Sequence, residues 1–146
     1  MSFINNMWSG QPITRRYSPV AAFNVGSGNP RPNVIGDVLA PADQRTITNY
    51  FNAANVVIPV DRALPFGKAG RNTVRSHPFY QVDFGLHKNF RLPRENMKLQ
   101  LRGEFFHLRN KTNFDPADGN RSHASFGTIS RTFDPRQIQL ALKLSF

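Results

Sequence analysis

The chain has 146 residues, enough for one domain, with 39% hydrophobic residues, 13 Phe, 10 Gly and 11 Pro. A soluble core of this size draws more heavily on Leu, Val and Ile, and the balance of Phe and turn residues points to β-structure. The net charge of +10 is dispersed, its densest pair being Arg15 and Arg16. With no arginine-rich run, zinc-finger spacing or RNA-binding signature, nucleic acid is not an expected partner. The lack of Cys excludes disulfides, thiolate catalysis and thiolate metal sites.

Residues 2–14 read as an extended segment with Trp8 near its middle, although the alternation there is poor. The stretch "MSFINNMWSGQPITRR" (1–16) lacks the basic start and apolar core of a secretory signal. Residues 17–78 form a long irregular loop that carries most of the prolines. Inside it, "ADQRTITNYFN" (42–52) has Asp43 as an N-cap and Ile47, Tyr50 and Phe51 at helical spacing, which predicts one short helix.

A strand follows over 79–90, "FYQVDFGLHKNF". Tyr80, Val82, Phe84, Leu86 and Phe90 share one face, and Gln81, Asp83, Gly85, His87 and Asn89 the other. "RLPREN" (91–96) reads as a short turn, because Pro93 cannot donate to a ladder. The next strand, 97–108, alternates Met97, Leu99, Leu101 and Phe105 with Lys98, Gln100, Arg102 and Glu104. Pairing Phe90 with Met97 sets Leu86 opposite Leu101, Val82 opposite Phe105, His87 opposite Gln100 and Asp83 opposite Glu104, with Arg102 diagonal to Asp83. The loop 109–135 contains a small strand-like patch at 126–129. The last strand, 136–146, alternates Ile138, Leu140, Leu142, Leu144 and Phe146 with polar or small residues.

The expected fold is all-β: about four antiparallel strands from the C-terminal end of a transmembrane β-barrel, with long irregular outer loops and one short helix, in a single partial barrel domain over 1–146. Each strand after the first is long enough for a tilted crossing of roughly 9–11 residues, and a short turn at one end with long loops at the other is the pattern of outer-membrane barrels. On this reading Val82, Phe84, Leu86, Leu99, Leu101 and Phe105 face lipid, while Asp83, His87, Gln100, Arg102 and Glu104 face the lumen. Lys88, on the apolar face, snorkels to the interface, and Tyr80, Phe90 and Phe146 sit near strand ends as girdle aromatics. No apolar stretch approaches the ~18 residues of a membrane helix, a test blind to membrane strands. Periodicity leaves a rival: a small basic secreted or periplasmic β-domain that packs its apolar faces together and binds an anionic surface or polysaccharide. On the barrel reading, Arg31, Lys68, Arg71, Arg75, Lys111 and Arg121 give the outer loops a basic cast, suited to an anionic ligand or to the phosphates of lipopolysaccharide.

Motifs for chemistry are weak. His77, His87, His107 and His123 are scattered and lack metal-ligand spacing. Asp83 and Glu104, if opposed, would form a carboxylate pair, but lumen-lining residues explain them better. "GSGNP" (26–30) is not followed by the Lys of a phosphate loop, and "GKAGRN" (67–72) reads as a turn. No enzymatic activity, metal or cofactor is expected.

An ordered series of segments carries a family resemblance: "SGQP" (9–12), "RPNVIGD" (31–37), "PFGKAGRNTVR" (65–75), "VDFGLHKNF" (82–90), "LQLRGEFFHLRNKTNF" (99–114), "FGTIS" (126–130) and "DPRQIQLALKLSF" (134–146). Together these resemble the C-terminal end of TonB-dependent outer-membrane receptors of the Oar-like kind, which carry a carboxypeptidase-regulatory-like domain. His107 and Arg109 replace the usual amide and aromatic of "FFNLFN", and "SHP" (76–78) stands where the family tends to show a Gly-Pro-Gly turn. The resemblance implies a fragment of a transporter of about 22 strands, without its plug, its TonB-contacting segment or most of its barrel, and not transport-competent alone. It also implies that Ile138, Leu140, Leu142, Leu144 and Phe146 form the strand read by the barrel-assembly machinery. The implied location is the outer membrane of a Gram-negative type bacterium. The implied partners are outer-membrane lipid, that machinery, the remaining barrel and plug and, through them, the TonB system.

Overall fold

Alternating apolar and polar side chains favour a pleated strand whose two faces meet different surroundings, and the longest such runs in this chain lie side by side. A computed structural model describes residues 1–19, 30–60, 66–93 and 97–146. Its strands are β1 (Ser2–Trp8), β2 (Pro12–Ile13), β3 (Asn33–Val34), β4 (Val56–Val57), β5 (Val74–Arg75), β6 (Phe79–Arg91), β7 (Lys98–Phe106) and β8 (Gln137–Ser145), with a 3₁₀ turn at Ala53–Asn55. Two compact units emerge: residues 1–8, 78–113 and 133–146 form one, and residues 9–77 and 114–132 the other.

The first unit is a four-stranded antiparallel sheet in the order β1-β6-β7-β8. The predicted strands 79–90, 97–108 and 136–146 are all present within a few residues. The predicted segment 2–14 is divided: β1 stops at Trp8, and β2 belongs to the other unit. The turn expected over 91–96 begins with Leu92 N donating to Met97 O at 3.1 Å, and residues 94–96 lie outside the described residues. β1 meets the start of β6 through Trp8 and Phe79, whose rings stack at 3.8 Å, while Phe106 of β7 pairs with Gln137 of β8 at the same end of the sheet. Both long insertions therefore leave from one end, and the short turn lies at the other.

The faces are as the alternation predicts, but the register between β6 and β7 is two residues away. Phe90 pairs with Leu99, Lys88 with Leu101, Leu86 with Gly103 and Phe84 with Phe105. Because side chains repeat with period two, a slip of two keeps every residue on its face and changes only its partner. β8 continues the apolar face, setting Leu99 against Leu144, Leu101 against Leu142 and Phe105 against Ile138. This face is open: Leu140 is 75% exposed and Leu142 67%. Val82 shares it but is only 5% exposed, so it is not part of the open surface.

β7 ends in a bulge. His107 takes a left-handed φ of 55°, its N–H goes to the Asp83 carboxylate at 2.9 Å, and Leu108 N then donates to Val82 O at 2.7 Å. One residue has been inserted relative to the ladder, which re-aims the chain at the sheet rim.

In the second unit the long loops are not irregular. Segments 9–77 and 114–132 build a core of Ile13, Val38, Tyr50, Phe51, Val56, Val74, Ala117 and Ile129. Two short antiparallel pairs, β2 with β5 and β3 with β4, frame it, and the Tyr50 hydroxyl donates to Arg75 O at 2.8 Å. Gly10, at φ 91°, starts the unit; a Cβ there would run into the Ser76 carbonyl, so the turn requires glycine.

The helix predicted over 42–52 does not form. Two separate turns are made there, Gln44 N donating to Pro41 O at 2.9 Å and Asn49 N to Thr46 O at 3.3 Å. Three other backbone groups find distant partners: Tyr50 N donates to Gly127 O, Asn52 N to Val38 O, and Ile47 O accepts from Ile129 N. These bonds compete with the i to i+4 ladder of a helix, and β-branched Thr46, Ile47 and Thr48 favour helix only weakly. The strand-like patch at 126–129 likewise forms turns, with Thr128 N on Ser125 O at 2.8 Å.

Candidate functional site

The polar face of the sheet carries Asp83, His87, Gln100, Arg102 and Glu104, brought onto one side by period two. The register sets His87 against Arg102, Gly85 against Glu104 and Asn89 against Gln100. Asp83 and Glu104 therefore do not oppose one another. Glu104 takes Arg102 Nη2 at 2.5 Å, with His87 Nε2 at 3.7 Å. Asp83 accepts the Gln81 amide at 2.9 and 3.0 Å as well as the His107 N–H. Gln100 donates to Asn89 Oδ1 at 2.9 Å. The result is a self-compensated, hydrogen-bonding wall. Its ion pairs are exposed and so contribute little, and the separated carboxylates offer no acid–base pair.

The second unit holds a cleft of about 610 Å³, lined by Arg15, Arg45 and Lys68, by Asp37, and by backbone and side chains around Val38 and Thr73. Arg15 comes from the alternation after β2, in which Ile13, Arg15 and Tyr17 are buried and the residues between them are more exposed. Its Nη2 donates to Thr73 Oγ1 at 2.5 Å, and burial lowers its pKa. Arg45 is held by Ala40 O, at 3.2 Å from Nε and 2.9 Å from Nη2, and lies over the Tyr50 ring at 5.6 Å. Its charge reaches further: His77, packed between the Tyr50 and Phe114 rings, has its pKa lowered by burial and then by Arg45.

Of the six basic loop residues expected to meet a ligand, only Lys68 lines this cleft. Arg31 and Arg71 are exposed elsewhere in the same unit. Arg75 is spent on Gly10 O at 3.1 Å, and Arg121 on Val56 O at 2.9 Å and the Phe126 ring. Lys111 belongs to the sheet unit. Sequence reasoning missed Arg15 and Arg45. The signal for Arg15 was present, since the in–out pattern Ile13, Arg15, Tyr17 placed a cation in a buried register. "GSGNP" lies largely outside the described residues, since 26–29 are not among them.

Asp118 organises the loop 118–128. It accepts Asn120 N at 2.9 Å, Ser125 Oγ at 2.7 Å and His123 Nδ1 at 2.8 Å. Burial pushes its carboxyl up, but these bonds together outweigh burial and hold it below the ordinary 3.8. A carboxyl depressed in the folded state stabilises the fold above its unfolded pKa and loses that contribution as pH falls through the folded value. Thermal unfolding of the refolded chain is therefore expected to show a midpoint that drops as pH falls below about 4. Asp118→Asn should flatten that acid limb; an unchanged limb would remove Asp118 as its source.

Neither a curated protein nor a solved structure matches the chain. A family model described as "Outer membrane beta barrel domain" matches residues 1–139, which takes in β1 to β7 and the first residues of β8. With a two-faced antiparallel sheet whose oily side is uncovered and whose long insertions share one end, the chain belongs to the outer membrane β-barrel domain family.

Proposed function

We propose that this chain supplies wall strands, outer loops and the assembly strand of a TonB-dependent outer-membrane transporter of the Oar-like kind, in a Gram-negative type bacterium. The observation that carries the reading is the pairing of a membrane-type sheet with a folded loop body. Insertions 9–77 and 114–132 form their own core and a cleft, which suits capture of a scarce substrate before uptake. The ordered segments shared with such receptors point the same way.

The open apolar face meets lipid, and the polar face lines the lumen. Among the described residues β1 and β8 each have one unpaired edge, and unpaired backbone groups are not tolerated in hydrocarbon. The sheet is therefore a segment of wall, closed by other strands, and does not transport alone. It performs no catalysis and binds no nucleic acid. Its partners are outer-membrane lipid, the barrel-assembly machinery, the rest of the barrel with its plug and, through them, the TonB system. Substrate uptake through a barrel containing this wall is expected to stop when TonB is removed or the proton gradient is collapsed. Uptake that continues undiminished under both conditions would retire the transporter assignment while leaving the barrel fold untouched.

A further inference from the structure

The loop unit contains a buried cation that its described residues satisfy only in part. Arg15 is 2% exposed, and its Nε and Nη1 have no hydrogen-bond partner among the described residues. A buried donor left unpaired is destabilising, more so when charged, and guanidinium does not escape by losing its proton. Such a group is retained where something outside the chain completes it. Arg15 lines the 610 Å³ cleft with Arg45 and Lys68. That volume lies within the usual range for a small-molecule site of about 300–1,000 Å³.

Lys68 is exposed and makes no side-chain bond among the described residues. The backbone at Lys68 is fixed, with its N–H on Asn33 Oδ1 at 3.0 Å, so the flexible ammonium is carried at a set place on the rim. Asp37 is the opposing charge in the lining; its backbone carbonyl is taken by Asn55 Nδ2 at 2.8 Å. Three cations against one carboxylate call for a ligand with more than one negative charge.

We propose that this cleft binds a phosphate monoester, with Arg15 at its floor and Lys68 at its rim. A phosphate monoester carries a charge of about −1.5 to −2 and three acceptor oxygens near neutral pH, which matches the excess of positive charge. A phosphate in the cleft would offset the Arg15 charge at short range, and the exposed Lys68 ammonium can donate to its oxygens by charge-assisted bonds. Burial lowers the Arg15 pKa, in keeping with a desolvated cation whose charge an anion in the cleft would offset. The site rests on the loop unit alone and stands apart from the transporter class of the barrel.

The test uses the full chain refolded in neutral detergent, in phosphate-free buffer at low salt, with glucose 6-phosphate as the soluble probe and phosphatidic acid in phosphatidylcholine vesicles as the lipid probe. Saturable binding of glucose 6-phosphate is expected, weakened about 5-fold or more by Lys68→Gln and about 10-fold by Arg15→Lys, and tightened by Asp37→Asn. Capture only by phosphatidic acid vesicles, lost in Lys68→Gln, also supports the site and assigns the phosphate to a lipid headgroup. If Arg15→Lys does not refold, the exposed Lys68 and Asp37 positions still decide. Binding of neither probe, binding indifferent to Lys68→Gln and Asp37→Asn, or succinate bound as tightly as glucose 6-phosphate would each overturn the proposal.

Discussion

Arginine at position 142 is expected to prevent stable insertion of the barrel. Leu142 sits mid-strand in β8, opposite Leu101, on the open apolar face. A lipid-facing Arg near the bilayer midplane costs about 2–4 kcal/mol, a factor of roughly 30 or more in the inserted population. Gln139→Lys, three residues away on the opposite face, should be nearly neutral because it meets Glu104 across the ladder. Folding into vesicles, followed by protection from protease, reads both. A second readout uses the single tryptophan. With Trp8→Phe as background, Leu142→Trp should be quenched strongly by brominated lipid and Ala141→Trp weakly. Equal quenching, or equal tolerance of charge on the two faces, would take the apolar side out of the membrane.

Asn113→Ala is expected to loosen the rim of the sheet by about 2–4 kcal/mol. Asn113 is only 1% exposed. Its carboxamide accepts Tyr80 N at 3.0 Å and donates to Tyr80 O at 2.9 Å, reproducing with a side chain the paired bonds of a neighbouring strand. The same amide lies 3.3 Å from His107 Nε2, while His107 Nδ1 is 2.9 Å from Asp134 O. Since a carbonyl only accepts, Nδ1 carries the proton and Nε2 accepts from Asn113. Alanine would strand a backbone donor and acceptor and break this chain of bonds. Urea unfolding in detergent should show the loss, and the Tyr80 amide should exchange faster. Lys111→Ala, at an exposed position two residues before, should stay within about 0.5 kcal/mol. Similar values for both would mean that Asn113 does not clasp the rim.

These two positions differ in how readable they were. Leu142 was placed by alternation alone. Asn113 was one polar residue among many in "RNKTNFDPADGN", because its role depends on Tyr80 being left without a strand partner there. His107 is intermediate. Its φ is 55°, a conformation that Asn and His adopt more readily than most side chains. The histidine was visible in the sequence, but its geometric meaning was not.

Local pattern and long-range partnership divide the rest. The sequence by itself determined which residues share each face of β6, β7 and β8, since facing depends only on parity along one strand. It also determined that the long connections leave from one end of the sheet, since that follows from counting strands and turns. Tertiary structure alone decided the register, because a two-residue slip leaves the apolar pattern equally satisfied and only the bulge at His107 and the clasp at Asn113 distinguish the alternatives. It alone unwound the expected helix at 42–52, whose backbone found partners at Val38, Gly127 and Ile129. It alone gathered Arg15, Arg45 and Lys68 around one cleft, because their meeting depends on a core assembled from two insertions far apart in the chain, and no local period records such a meeting.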